Sequence, residues 1–336
     1  MVRAKGTPRP KSAPRRRSSL AWGVVAVVVG LSAAGCASSS TGSTAADGSV
    51  VLGPSSATRA GTAAPPCPTG PVRVTVTVDQ WGDVVRHLAG ACAEVTTIVT
   101  GATGDPHEYE PTPGDAAAFT GARLVVVNGL GYDAWATKLL DSSSSPPEVV
   151  DAGAIAGRHE GDNPHVWYSP AVVDDVAGAV TQRLQQLVPV ASDYFATQAA
   201  SWRANYAAVH RLVADVRSKA SGKPYAATES VFDDMAAAVG LVDRTPPGYA
   251  QAAANESEPA PGDLAALEQV LRDHRAAVLV VNTQTEGSLV DQLRSESEEA
   301  SVPVVEVTET MPEDVPSFVD WQVGQLESLA RRLGPS

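Results

Sequence analysis

The sequence predicts an α/β protein: two lobes with parallel sheets, joined by one long helix. Three observations carry this. From residue 71 onward, short β-branched runs alternate with segments of helical spacing. The alternation stops between about 170 and 220, where two helical stretches follow one another. It then resumes until the chain ends.

PVRVTVTVD (71–79) alternates and is β-branched, as a strand requires. QWGDVVRHLAG (80–90) puts Trp81, Val84, Val85 and Leu88 on one helical face. AEVTTIVT (93–100) is the next strand, PGDAAAFTGA (113–122) a helix, and ARLVVVNG (122–129) a strand whose continuous apolar run marks burial on both faces. DAWATKLLD is helical and PEVVDAG a short strand. SPAVVDDVAGAVTQRLQQLVP and the nearly thirty-residue SDYFATQAASWRANYAAVHRLVADVRSKA are helical, with Ser169 and Ser192 as N-caps. A helix that long can span two lobes. KPYAATES, LVDRT, AAVLVVNTQ and VPVVEVTET then supply strands. Between them lie helices ending at Gly240, over DLAALEQVLRDH and over SLVDQLRSES, with a final helix from 313 and a Pro/Gly/Glu-rich loop near 245–262.

The first 66 residues concern address rather than fold. A cationic stretch with Arg3, Lys5, Arg9, Lys11, Arg15, Arg16 and Arg17 precedes the apolar LAWGVVAVVVGLSAA (20–34) and then Gly35-Cys36. That is the layout of a secretory signal. Ala33-Ala34-Gly35-Cys36 resembles a bacterial lipobox, which implies cleavage before Cys36 and lipid on its sulfur; an uncleaved signal anchor is the alternative. Residues 37–66, rich in Ser, Gly, Ala and Thr, read as a flexible tether. The expected organisation is a signal over 1–35, a tether over 36–66, a first lobe over 67–188, a connecting helix over 189–222 and a second lobe over 223–333.

The signal holds seven of the 25 basic residues and no acid, so the remainder has 18 basic against 38 acidic side chains, a balance of −20. So acidic a chain is not a nucleic-acid binder; it concentrates cations locally without providing a site. Cys67 and Cys92 remain after Cys36. Outside the cell such a pair is more often a disulfide than a metal site, and closing that loop contributes about 3 kcal/mol. Two buried thiols are the alternative.

Open α/β sheets bind ligands beyond the carboxyl ends of their strands. Four polar groups stand there: His107 in GDPHEYEPTP, His165 in NPHVW, Glu229 ending PYAATES and Glu309 ending VPVVEVTET. Their separations of 58, 64 and 80 residues exclude a local finger, so a shared site must be assembled by the fold. Two imidazoles and two carboxylates suit Mn(II), Zn(II) or Fe(II), and the excess of oxygen leans towards manganese. Each residue also has an ordinary reading. His107 fits a solvated loop, His165 a cap for the helix after Pro170, Glu229 a charged helix start, and Glu309 a solvated turn before Pro312. His87, His210 and His274 lie on or near helices and read as structural, and His159 as a solvated loop residue.

GDPHEYEPTPGD, NPHVW, ATESVFDDMAAAVGL and VPVVEVTETMP together resemble the metal-binding solute-binding lipoproteins of zinc/manganese ABC transporters, over roughly residues 71–333. The resemblance implies two (β/α)4 lobes joined by a rigid backbone helix, with the metal between them. It matches His107 and His165 to the family's histidine ligands. Glu229 falls where zinc-type members usually have histidine and several manganese-type members glutamate. Glu309 falls where aspartate is common, one methylene longer. The chain also lacks the long His-rich loop of zinc-type members, so manganese is favoured over zinc. Asn282 and Gln284, just past AAVLVV, are expected to orient a ligating carboxylate. NESEPAPGD (255–263) resembles the family's entry to the next helix and reads as a Pro-rich turn with Asp263 as N-cap.

The expected protein is a monomeric, lipid-anchored carrier outside the cell membrane, delivering Mn(II) or Zn(II) to an ABC permease, and not an enzyme. An extracellular metallohydrolase is the alternative, but a fourth protein carboxylate closes the open position that hydrolysis needs, and no HExxH or GxSxG stands in the chain. An adhesin-type surface lipoprotein is a third reading.

Overall fold

The computed structural model describes residues 66–101, 109–141, 145–255, 257–285 and 287–334. The signal, Cys36 and the tether lie outside these, as do His107 and Glu256.

Two four-stranded sheets, every pairing parallel, form the frame. The first has the order β2-β1-β3-β4, from β1 (Val72–Val78), β2 (Ala93–Val99), β3 (Leu124–Val127) and β4 (Glu148–Asp151). The second repeats that order as β6-β5-β7-β8, from β5 (Pro224–Ala227), β6 (Val242–Asp243), β7 (Val278–Asn282) and β8 (Val304–Val307). The central strands are apolar runs because helices cover both faces: all four residues of β3 and all five of β7 are buried. Helices α1 (Asp79–Ala89), α2 (Pro113–Gly121) and α3 (Ala134–Asp141) connect the first set of strands. A short α4 (Ala152–Ile155) and then α5 (Pro170–Leu187) lead to α6 (Ser192–Ala220), the connecting helix of 29 residues. At 1.5 Å per residue it is about 43 Å long.

α6 is held by one face. Tyr194, Phe195, Ala199, Trp202, Tyr206, Val209, Val216 and Ala220 are buried along it at helical spacing. The second sheet carries α7 (Asp233–Ala238), α8 (Pro247–Ala254), α9 (Pro261–Arg272) and α10 (Ser288–Glu299). The last helix, α11 (Phe318–Leu333), packs on α6 and on α1. Aromatic rings run without a break between the halves: Tyr132 to Trp167 (5.0 Å between centroids), Trp167 to Tyr168 (6.3 Å), Tyr168 to Phe232 (5.2 Å) and to Trp321 (5.4 Å). One hydrophobic core contains side chains of both sheets, and a smaller cluster lies under α8, α9 and α10.

Cys67 and Cys92 are disulfide-bonded, which fastens the start of the described chain to the short turn between α1 and β2. No helix among the described residues is long and apolar enough to cross a membrane.

Four local expectations need correction. Ser192 is the first residue of α6 rather than its cap, whereas Ser169 does stand at the cap position of α5, though without a side-chain cap bond. Asp263 lies inside α9, whose cap position is Ala260; proline at the first helical position starts that helix without needing a side-chain acceptor. The final helix starts at Phe318, not 313, because Pro316 holds the preceding chain extended and Ser317 caps through Asp320 N–H. The loop near 245–262 contains α8: PGYAQAAA again has proline at its start, and its alanines favour helix.

Candidate metal centre

The described candidates His165, Glu229 and Glu309 stand past the carboxyl ends of strands, and bonds between the halves bring those ends face to face. His165 follows β4 in a segment fixed from behind. The buried Asp133 carboxylate accepts from Thr77 Oγ1 (2.6 Å) and from the backbone N–H groups of Asn128 (2.7 Å) and Gly129 (2.9 Å). Burial pushes its carboxyl up even so, because those bonds offset only part of the lost hydration. The loop so held presents Asn128, whose Oδ1 accepts from Trp81 Nε1 (3.0 Å) and whose Nδ2 donates to Pro164 O (2.9 Å). His165 is thereby placed 7% exposed. Its Nδ1 lies 2.7 Å from Asn163 Oδ1. Its Nε2 is buried, has no hydrogen-bond partner and lies 3.7 Å from Glu309 Oε1.

Glu309 comes from the other sheet, just past β8. Tyr132 Oη donates to its Oε1 at 2.8 Å, and Gln80 Nε2 donates to its backbone carbonyl at 3.0 Å. Burial, then the Glu309 charge, pushes the Tyr132 phenol well above its ordinary range, so it stays a donor. Gln284 Oε1 accepts the backbone N–H groups of Glu309 (2.7 Å) and Thr310 (2.8 Å), and its Nε2 donates to Thr310 Oγ1 (2.6 Å). Gln284 therefore shapes the turn that carries Glu309 rather than touching its carboxylate.

Glu229 follows β5. It stands at the cap position of a one-turn 3-10 helix (Ser230–Phe232) but makes no side-chain cap bond. Its carboxylate instead accepts from Asn282 Nδ2 (2.9 Å) and from the Thr285 hydroxyl. Asn282, 2% exposed, so acts on this carboxylate directly. Glu229 lines a small pocket with Asp233, Asp243, Thr228 and Tyr249. Burial first, then Asp243 and Asp234, raises Asp233 to about 6.

The structure thus brings His165 and Glu309 together and sets Glu229 on the same side of the second sheet. Among the described residues no three His, Cys, Asp or Glu side chains converge on one metal-sized point. His107 lies outside those residues, but both ends of its loop are placed. Gly101 N–H donates to Asp79 Oδ2 (2.8 Å), and a Cβ added at Gly101 would sit 2.8 Å from the Met311 carbonyl oxygen, two residues beyond Glu309. Only glycine permits so close an approach of the two chains. At the far end Tyr109 packs on Trp135 (5.1 Å) and donates to Asp115 Oδ2 (2.9 Å), where Thr112 and Asp115 form a capping box that opens α2.

The remaining histidines sit elsewhere. His87 meets Trp202 edge-on and is lowered by burial, His210 pairs with Asp174 (2.9 Å), His274 turns the chain after α9, and His159 is exposed. Residue-type reasoning missed Tyr132, Asn163, Gln80 and Thr285. Tyr132 and Thr285 follow strands as closely as the residues it chose, but neither is a usual metal ligand.

These paired sheets with facing strand ends define a two-lobed parallel α/β protein. The chain belongs to the family described as zinc-uptake complex component A, periplasmic, whose model matches residues 74–332. It is 31% identical over 148 residues to the manganese-binding lipoprotein MntA of Halalkalibacterium halodurans, covering 43% of this chain and 41% of that one. It is 24% identical over 212 residues to the high-affinity zinc uptake system protein ZnuA of Bacillus subtilis, covering 57% and 65%. The chain thus spans less than two thirds of either relative's length. In fold it resembles a manganese-bound mutant of a periplasmic metal-binding protein from Candidatus Liberibacter asiaticus, with a TM-score of 0.64 at 18% identity over 77% of this chain and 98% of that one.

Proposed function

We propose that the chain is a lipid-anchored extracytoplasmic carrier that captures a divalent transition metal between its lobes and hands it to an ABC permease. The ligands are His107, His165, Glu229 and Glu309, and Cys36 carries the anchor. The observation that carries this reading is His165 Nε2: a buried imidazole nitrogen without a hydrogen-bond partner, 3.7 Å from a carboxylate of the other lobe. A buried polar atom left unpaired costs about 1–3 kcal/mol, and a metal ion would satisfy it. Family membership and the metals in the relatives' names support the same reading. Two nitrogens and two carboxylates favour Mn(II), then Zn(II), over metals that prefer thiolates.

The chain acts as a monomeric carrier rather than an enzyme, because four protein ligands leave no open position for substrate water. Its lobes move little. The aromatic run, Gln80 to Glu309 and Tyr168 Oη to Thr308 O (2.6 Å) all join them, so metal exchange works through strand-end loops.

The test is titration of the chelated protein with Mn(II) and Zn(II), separately and in competition, followed by thermal shift. One saturable site, lost in both His107→Ala and His165→Ala, is expected. No saturable site for either metal overturns the proposal.

A further inference from the structure

We propose that Asn163 is a positioning residue whose single amide sets the His165 tautomer and ties that histidine to the Glu229 segment of the other lobe. The inference rests on reading His165 as a ligand.

Two backbone groups fix which way the amide points. Asn163 Oδ1 accepts the His165 backbone N–H at 3.0 Å, and Asn163 Nδ2 donates to Ser230 O at 2.8 Å, next to Glu229. An N–H can only donate and a carbonyl can only accept, so a flipped amide would set like against like at both ends. The oxygen that takes the backbone N–H also lies 2.7 Å from His165 Nδ1. An amide oxygen has no proton to give, so Nδ1 must supply it. Neutral His165 is therefore the Nδ1–H tautomer, and its lone pair sits on Nε2, the buried atom facing Glu309.

The loop before Asn163 is itself clamped. Arg158 donates to Asn163 O (2.8 Å) through Nη1 and pairs with Asp234 (2.5 Å) through Nη2. The 158–163 loop thus reaches across to the chain just past Glu229 at two points. Asn163 supplies what neither aspartate nor alanine can: an acceptor for one half of the site and a donor for the other.

The test uses the full chain with 15N-labelled histidine. It has six histidines, and the His165 signals are those lost in His165→Gln. In the metal-free protein at pH 8, His165 should show a protonated Nδ1 and an unprotonated Nε2. Asn163→Ala should lose this single tautomer and raise the Kd for Mn(II) and for Zn(II) by about 10–100-fold, as removal of a ligand's orienting partner does. Asn163→Asp keeps the acceptor and should keep the tautomer, with a smaller rise in Kd from the lost Ser230 bond. An Nε2–H tautomer in the unaltered protein, or Asn163→Ala binding both metals normally, overturns the proposal. If Asn163→Ala does not fold, loss of the tautomer in Asn163→Asp overturns it equally. Should His165→Ala bind metal unchanged, the ligand reading fails, while the tautomer of the metal-free protein still decides what Asn163 does.

Discussion

Tyr132 and Glu309, 177 residues apart and on different sheets, are joined by a 2.8 Å hydrogen bond from phenol to carboxylate. The same carboxylate oxygen lies 3.7 Å from His165 Nε2. Glu309 is therefore oriented before any cation arrives, and a cation bound at His165 would share the charge that Tyr132 now stabilises.

Tyr132→Phe should consequently weaken the metal-free protein more than the loaded one. A hydrogen bond to a charged group contributes about 1.5–3 kcal/mol. One kcal/mol is worth roughly 2–4 °C of Tm in a domain of this size. A fall of about 3–12 °C is expected without metal and a smaller one with saturating Mn(II), read by calorimetry. Equal falls in both would mean that metal does not take over the neutralisation of Glu309.

Glu229→His should shift selectivity towards zinc. The change removes a hard oxygen donor, along with its bonds to Asn282 and Thr285, and adds a nitrogen that zinc favours. Competition titration with Mn(II) and Zn(II) reads the ratio. An unchanged ratio would take Glu229 out of the ligand set.

Asp233 gives a pH signature. Its folded-state carboxyl is raised from 3.8 to about 6, chiefly by burial. Between those values the folded protein holds a proton that the unfolded chain has released, so stability falls as pH rises through the window. Asp233→Asn removes this cost and still accepts from Tyr225 Oη, now at 2.9 Å. Its metal-free Tm should exceed that of the parent above pH 6, and the gain should vanish below pH 4. A gain that persists at pH 3.5 would assign the effect to packing.

Much of the frame was legible because it depends on local pattern. The continuous apolar runs of β3 and β7 and the one-sided spacing of α6 are properties of adjacent residues, and both appear where the sequence puts them. The candidate site was legible as residue types past strand ends, as motifs shared with a family, and in Asn282 as a partner of a carboxylate. The contacts between the lobes were not, because Tyr132 reaches Glu309 and Asn163 reaches Ser230 through the relative placement of two sheets. No spacing along the chain encodes that placement. The helix starts went wrong for a different reason. Ser192 and Asp263 are good caps by type, yet Pro189 and Pro261 fix the backbone nearby and move the first turn.

α11 binds together parts of the chain that lie far apart in sequence. Phe318 is fully buried against Trp202 and Tyr206, and its backbone N–H donates to Asp83 on α1 at 2.9 Å. The aromatic face of α6 is thus roofed by a segment that lies more than a hundred residues further along the chain. Trp202 and Tyr206 therefore owe part of their cover to a residue that no local pattern within α6 supplies. A helix organised in this way is a long-range element: its shape is local, but its burial is decided by a distant stretch of the same chain.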